Sequence, residues 1–366
     1  MQKLVQTFNQ KKVLVTGHTG FKGSWLSTWL LDLGAEVFGI SSSIPTVPSH
    51  FSSLNLHNNI NDLRCDIRDN SQFKKLVLDI KPDFVFHLAA QSLVGKSYEE
   101  PLCTWQTNSL GTVNVLESLR ELKTKCTAIF ITSDKAYRNN EWLWGYREND
   151  VLGGNDPYSA SKASAELAIN SYVHSFFKKG GVIKIAIGRA GNVIGGGDWA
   201  DHRIVPDCAR AWSKNEILPI RRPHATRPWQ HVLEPLSGYL TLANVLSEND
   251  ELHGEAFNFG PQSNQNYSVA DLADEMKKHW DQANWVDKSC EDNSFYESKL
   301  LKLNCDKALH ILNWRSIWDF NATIRETAVW YKTYYSNLNN SMAEISLSQI
   351  HNYVLCAKNQ GVSWAK

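Results

Sequence analysis

The sequence predicts an α/β protein built on a doubly wound parallel sheet with a smaller α/β substrate-binding domain, and three observations carry that expectation. Short β-branched runs alternate with longer helical patterns through the first half of the chain, as successive strand–helix–strand units do. A glycine-rich turn, Thr16-Gly17-His18-Thr19-Gly20-Phe21-Lys22-Gly23, lies between the first such run and the first helical stretch. After Gly188 the alternation ends, and residues 189–230 become rich in Gly, Arg, Pro and Trp.

Taken in order, Lys12–Thr16 reads as a buried strand, residues 25–33 as a helix and residues 35–40 as a second strand. A third strand precedes Cys65-Asp66-Ile67-Arg68-Asp69. Further strands are expected at 84–88, 128–132 and 183–187, with helices at 71–80, 104–122 and 158–178 between them. Right-handed crossovers place ligands at the carboxyl ends of such strands. Residues 261–320 mix short helices with irregular segments, and 323–335 reads as the last amphipathic helix.

Composition excludes several classes. The 366 residues exceed one typical core, and 38 Lys+Arg balance 38 Asp+Glu. A nucleic-acid partner held by bulk charge is therefore not expected. The seven cysteines (Cys65, Cys103, Cys126, Cys208, Cys290, Cys305 and Cys356) are scattered and form no Cys-x-x-Cys pair. Neither a disulfide framework nor a metal site is expected. Met1 to Lys12 lacks the apolar core of an export signal, and no stretch approaches the about 20 apolar residues of a membrane span. A cytoplasmic protein without a membrane partner is expected.

The glycines have a physical task. Gly17 permits a tight turn, Gly20 lets the backbone approach a pyrophosphate, and Gly23 allows close helix–strand packing. The following helix offers unpaired N–H groups and the positive end of its dipole to the phosphate. The ribose partner is less defined, because Ile40 is followed by Ser41-Ser42-Ser43, neither an acid for a 2′-hydroxyl nor an arginine for a 2′-phosphate. Asp66 is placed to touch an adenine amino group or to be an ordinary surface charge.

Tyr158 and Lys162 stand four residues apart behind the turn signal Asn155-Asp156-Pro157. That spacing puts both on one face of a helix, where an ammonium favours the phenolate and makes it a base near neutral pH. With Thr132-Ser133-Asp134-Lys135 upstream, the pair points to hydride chemistry on a sugar-like alcohol. His87 reads more readily as a packed histidine at a strand end than as a catalyst.

These motifs, with Asp66-x-Arg68-Asp69, His87-Leu88-Ala89-Ala90-Gln91 and Arg189-x-x-Asn192-Val193-x-Gly195, resemble the extended short-chain dehydrogenase/reductase family, and within it the nucleotide-sugar 4,6-dehydratases. The resemblance runs almost end to end. It is closest to the members acting on CDP-glucose, through the His18 and Lys22 variant of the glycine turn, residues 142–157, Gly195-Gly196-Gly197-Asp198-Trp199 and Arg227-Pro228-Trp229-Gln230-His231-Val232. It implies a Rossmann dinucleotide domain, residues 1–188 plus 229–256, and a nucleotide-sugar domain, residues 189–228 plus 257–366. It implies a lyase with NAD as cofactor, held by Gly17, Thr19, Gly20, Phe21, Lys22, Gly23, Asp66, Ile67, Leu88, Ala89, Ala90, Asn108, Tyr158 and Lys162.

In the implied reaction Ser133 binds the sugar C4 hydroxyl and Tyr158 removes its proton. Asp134 protonates the C6 hydroxyl and Lys135 takes the C5 proton. Relatives acting on dTDP-glucose carry a glutamate where this chain has Lys135, which here is either that base or a partner that only orients Asp134. Lys162 would hold the nicotinamide ribose and lower the Tyr158 pKa, and Asn108 would also help hold the active-site backbone or a proton-relay water.

Arginine suits a diphosphate because its fork donates parallel hydrogen bonds. Gln91, Asn192, Arg203, Arg222 and Arg227 are the expected contacts to a nucleotide sugar, CDP-glucose foremost. Gly95-Lys96 departs from the family, which has an arginine there. Trp142 and Trp144 either cap the sugar or cover a core edge. A homodimer through the 158–178 and 104–122 helices and a place in deoxysugar synthesis for lipopolysaccharide O-antigen complete the implied picture. A UDP-N-acetylglucosamine dehydratase, a sugar-nucleotide 4-epimerase and a non-catalytic dinucleotide sensor are the alternatives. An epimerase needs no acid–base pair after Ser133, and a sensor need not keep the Tyr158/Lys162 pair.

Overall fold

The computed structural model describes residues 1–262, 265–289, 300–336 and 341–366. Cys290 and part of the 261–320 stretch lie outside the described residues. Six strands follow the expected runs: β1 Lys12–Thr16, β2 Glu36–Ser41, β3 Asn61–Arg64, β4 Phe84–His87, β5 Cys126–Ile131 and β6 Ile183–Arg189. With Ala256–Asn258 they form one sheet in the order Ala256–Asn258, β6, β5, β4, β1, β2, β3, every neighbouring pair parallel.

The runs are continuously apolar because both faces of the sheet are covered. Val13, Val15, Ile129 and Ala186 point into one core. Leu14, Ala128, Phe130 and Ile185 point into the other. The second core is closed by the helices Asn70–Ile80, Gly111–Glu121 and Pro157–Ser175. The first is closed by Phe21–Asp32, Leu233–Glu248 and the C-terminal helices.

Several expectations are corrected. The first crossover helix begins at Phe21 rather than residue 25, because Gly20 caps it in extended conformation. The helix expected over 104–122 is three pieces, Pro101–Trp105, a π-helical turn Gln106–Leu110, and Gly111–Glu121. The alternation does not stop at Gly188: the helix Leu233–Glu248 and the strand Ala256–Asn258, which pairs with β6, continue it.

The helix at 320–335 is not the last. Met342–Asn359 follows it, hidden from a periodicity search because its buried face carries Ser346 and Gln349. Both are hydrogen-bonded there. Ser346 Oγ accepts from Trp330 Nε1 at 3.0 Å, and Gln349 Nε2 donates to the Glu326 carbonyl at 2.7 Å. Residues 342–366, grouped by sequence with the second domain, pack against the first crossover helix. Trp29 lies edge-on to Tyr353 and Trp364 at 5.9 and 6.1 Å, and His351 Nε2 is 2.9 Å from Asp32. Among the described residues no helix is long and apolar enough to cross a membrane.

One carboxylate ties these layers together. Glu234, fully buried, accepts from the backbone of Ile317 and Trp318 and from the Tyr353 hydroxyl. Burial outweighs those donors and pushes its carboxyl up to about 7. A raised acid contributes stability that is fully present below its unfolded pKa and lost as pH rises through the folded one. Unfolding free energy measured by urea titration should therefore fall by about 3 kcal/mol between about pH 4.5 and 8 through this group, and Glu234→Gln should remove that part of the slope.

Candidate active site

The glycine turn has the geometry its residues imply. Gly17 adopts φ +75°, its N–H donates to the Ile40 carbonyl at 2.8 Å, and Gly20 N–H returns to the Gly17 carbonyl at 3.0 Å. A Cβ on Gly17 would lie 2.8 Å from Ala89 N, and one on Gly23 only 2.1 Å from the Gly17 oxygen. No side chain caps the helix that follows, so its first N–H groups face the cleft as a phosphate cradle. Leu88 and Ala89 run beside it, their N–H groups on the Thr16 carbonyl and Oγ1 at 3.1 and 3.2 Å, with Ala90 next in the loop. Thr19 is turned away: its hydroxyl donates to the Ser43 carbonyl at 2.7 Å.

Beside the end of β2 the neighbouring strand brings an acid and an arginine. Asp62 and Arg64 come from β3, opposite Gly39 and Ser41. Asp62 Oδ1 lies 2.8 Å from His18 Nε2, its Oδ2 accepts from Arg64 at 2.7 Å, and His18 Nδ1 is 2.9 Å from Ser41 Oγ. Asp66 is held by Arg68, which donates to it at 3.0 and 2.6 Å and keeps its carboxyl below the usual range. The Ile67 side chain is buried beneath Gly111.

Ser133, Asp134 and Lys135 leave the carboxyl end of β5 as a tight helical turn. Ser133 Oγ donates to Asp134 Oδ1 at 2.9 Å, and Asn192 Nδ2, on a residue at φ +52°, reaches Asp134 Oδ2 at 3.4 Å. Asp134 is buried, and a Cβ on Gly191 would fall 1.9 Å from its carboxylate. Among the described residues, no ion pair joins Lys135 to Asp134. An orienting partner for that carboxylate is instead Asn192.

Asp156 caps the helix Pro157–Ser175 by accepting from Ser159 N–H at 2.9 Å, and Pro157 takes the first turn. This cap brings Tyr158 against Ser133. Burial pushes the Tyr158 phenol up to about 12, Asp134 adds to the rise, and Ser133 and Arg203 oppose it. The expected depression by Lys162 is not what this geometry gives. The lysine amine lies 3.5 Å from the Ile131 carbonyl, and burial lowers its own pKa to about 8 against the pull of Glu166. Lys22, expected among the contacts to NAD, lies near Asp134 and Lys162. Burial and then Arg203 take it down to about 8, and Asp134 raises it. Arg203 itself is anchored on Asp198 at 2.7 Å.

Other expected contacts are already engaged. The Gln91 amide donates to the Leu93 carbonyl and Thr104 and accepts from Leu93 N–H at 2.6 Å, so it shapes its own loop rather than meeting substrate. Asn108, displaced inward by the π turn, accepts from Gln91 N–H at 2.8 Å and donates to the Gln91 carbonyl and Ser161. It holds active-site backbone, one of the roles expected of it. His87 bonds Thr16 and Thr112 and is lowered to about 3 by burial, a packed neutral imidazole. Lys96 lies 3.8 Å from Glu100.

Arg222 precedes the short strand Thr226–Arg227, which pairs antiparallel with Tyr267–Ser268. Pro228, Gln230, Lys302 and Leu303 line a pocket together with Asp134 and Gly191. Trp142 stacks on Tyr146 and Tyr146 on Tyr137, both at 5.2 Å, over Leu301 and Leu303, so this segment covers an apolar edge, while Trp144 is exposed.

Comparison with known proteins agrees with this layout. The family model of GDP-mannose 4,6-dehydratase matches residues 14–327. A CDP-glucose 4,6-dehydratase of Salmonella typhimurium is 44% identical over 329 residues, 88% of this chain and 91% of that protein. A UDP-glucose 4-epimerase of Mycoplasma pneumoniae is 24% identical over 90% of this chain and 99% of its own. Among solved structures, a dTDP-glucose 4,6-dehydratase of Bacillus anthracis in complex with NAD superposes with TM-score 0.72 at 19% identity, over 89% of this chain and 98% of that one. At that identity the superposition shows the fold alone.

The phosphate cradle has a direct test. Gly23→Ala forces the turn off the helix and should weaken dinucleotide binding, followed by tryptophan fluorescence, by about 10- to 100-fold, the equivalent of about 1–3 kcal/mol of overpacking.

Proposed function

The chain belongs to the GDP-mannose 4,6-dehydratase family of nucleotide-sugar enzymes, and from that premise we propose that it converts CDP-glucose to CDP-4-dehydro-6-deoxyglucose and water. The observation that carries this reading is the Ser133-Asp134-Lys135 turn, its serine and aspartate buried and its lysine half-buried, set against Tyr158 at the carboxyl end of β5. An alcohol oxidation needs only Ser133 and Tyr158. A carboxyl and an amine placed immediately beyond them supply the acid and base of an elimination. The 44% identical CDP-glucose enzyme favours cytidine as the nucleotide.

In this scheme Ser133 positions the C4 hydroxyl and the Tyr158 oxygen accepts its proton. The glycine turn would hold NAD, whose nicotinamide would supply the hydride acceptor for C4 and the hydride donor for C6. The C4 ketone acidifies the C5 proton, which the Lys135 amine removes, while Asp134 gives its proton to the departing C6 hydroxyl. As hydride reaches C6 the Lys135 ammonium gives a proton back to C5, and the proton taken from the C4 hydroxyl replaces the one Asp134 gave up. Asn192 and Gly191 fix the Asp134 carboxyl for that step. Lys162 moves from the Ile131 carbonyl to the ribose and the phenol. Lys22, near Asp134 and Lys162, and Arg203, near Asp198 and Tyr158, would meet the negative charge of the ligands. Arg222 and Arg227 serve the nucleotide end.

In this reading residues 1–188, 229–256 and 342–366 form the dinucleotide part, and the rest of the chain forms the sugar part. Exposed Leu102, Trp105, Leu110 and Leu167 on the 101–121 and 157–175 helices support a homodimer through those faces. The six described cysteines are free, consistent with a reducing cytoplasm. The product's class suits deoxysugar synthesis for lipopolysaccharide O-antigen.

Incubated with CDP-, dTDP- and UDP-glucose and no added reductant, the protein should form a 4-keto-6-deoxy sugar from CDP-glucose; no product from that substrate overturns the assignment. Tyr158→Phe should lower kcat by about 10²- to 10⁴-fold. Lys135→Met should abolish exchange of the C5 hydrogen with heavy water, and full-rate exchange in that variant would remove Lys135 as the base.

A further inference from the structure

We infer that Glu166 is a positioning residue that acts through Lys162, supplying the buried carboxylate that keeps the ammonium and the Thr132–Tyr137 segment in place. The inference rests on the function proposed above. Tyr158, Lys162 and Glu166 are spaced four and four along Pro157–Ser175, so they rise on one helix face. Thr132 Oγ1 donates to Glu166 Oε1 at 2.5 Å, and Arg189 Nε lies 2.9 and 3.0 Å from the two oxygens. The second arm of Arg189 donates to the Tyr137 hydroxyl at 2.6 Å, which in turn donates to Asn258 Oδ1 at 2.8 Å.

The consequence is geometric. Thr132 immediately precedes Ser133, and Tyr137 follows Lys135 by two residues, so the pair grips the catalytic turn at both ends. Arg189 also begins the stretch that carries Gly191 and Asn192 to the Asp134 carboxylate. Glu166 and Arg189 are buried outside the cleft and meet no reacting atom, yet they join β5, β6 and the Tyr158 helix behind it.

A carboxylate matters there for a second reason. The groups facing Lys162 are Tyr158 and Glu166 on its own helix, Lys22 from the first crossover helix and His87 from β4, with Asp134 across the cleft beside Lys22. His87 is neutral and Lys22 repels. Glu166 is the nearby group that favours the ammonium, against a burial that lowers it to about 8.

The test is NAD binding, read by tryptophan fluorescence from about pH 6 to about pH 10, with thermal unfolding as a control for folding. Wild-type affinity should decline as pH rises through the region of Lys162 titration. Lys22 titrates in the same range in every variant, so the displacement between variants is the readout. In Glu166→Gln the midpoint should move down by about one pH unit. Glu166→Asp, which restores the charge, should return it toward the wild-type value. Thr132→Val removes one hydrogen bond and no charge, and should leave the midpoint where it was. Because Glu166→Gln leaves Arg189 buried without a counter-ion, the double variant Glu166→Gln/Arg189→Met is measured beside it and should show the same downward displacement. A weaker affinity at all pH values with the wild-type midpoint, or no change, overturns the inference. A wild-type protein that binds no NAD at any pH contradicts the proposed function itself.

Discussion

Glu166 and Arg189 form an ion pair with almost no exposure to water, and three elements of the fold meet on it. Two charges taken from solvent carry a desolvation cost of several kcal/mol each, offset only when every remaining donor and acceptor is satisfied. Here Thr132, Tyr137 and the Glu148 carbonyl complete the set. Leaving either partner alone would cost about 3–5 kcal/mol, so the end of β5, the end of β6 and the Tyr158 helix must arrive together. That requirement places Ser133, Asp134 and Lys135 opposite Tyr158.

In front of the pair the balance of charge is different. Lys22, Lys162 and Arg203 converge on a region holding Asp134 and Asp198, and burial lowers both lysines to about 8. Such a cleft is electrostatically incomplete by itself, and a diphosphate of the proposed substrate would favour the protonated lysines. The Tyr158 phenol, pushed up to about 12, shows the same strain in the opposite sense. Binding and chemistry are therefore coupled: charge brought in with the ligands resets the groups that move protons.

What could be read from sequence was what neighbours along the chain decide. The Lys12–Thr16 run, the glycine turn and the Tyr158/Lys162 spacing are local, and each sits where expected. What depended on pairing across the sheet was not legible. Asp62 and Arg64 reach His18 and Ser41 from the adjacent strand, and no spacing within β2 announces them. The inward turn of Asn108 follows from one extra residue in a π turn. Met342–Asn359 escaped notice because two of its buried residues are polar and hydrogen-bonded. Glu166 did leave a trace: it extends the Tyr158 and Lys162 spacing by another four residues, and only its partner, 23 positions on, was out of sight.

The central claim is that this arrangement runs an internal hydride relay on one sugar. The most direct measurement uses CDP-glucose deuterated at C4, mixed with unlabelled CDP-glucose carrying a distinguishable carbon label, with the products resolved by mass spectrometry and NMR. Deuterium is expected at C6 of the same molecule that lost it from C4, with no crossover between the two populations. Deuterium returned to C4, as in an epimerisation, or released to an external acceptor would contradict it.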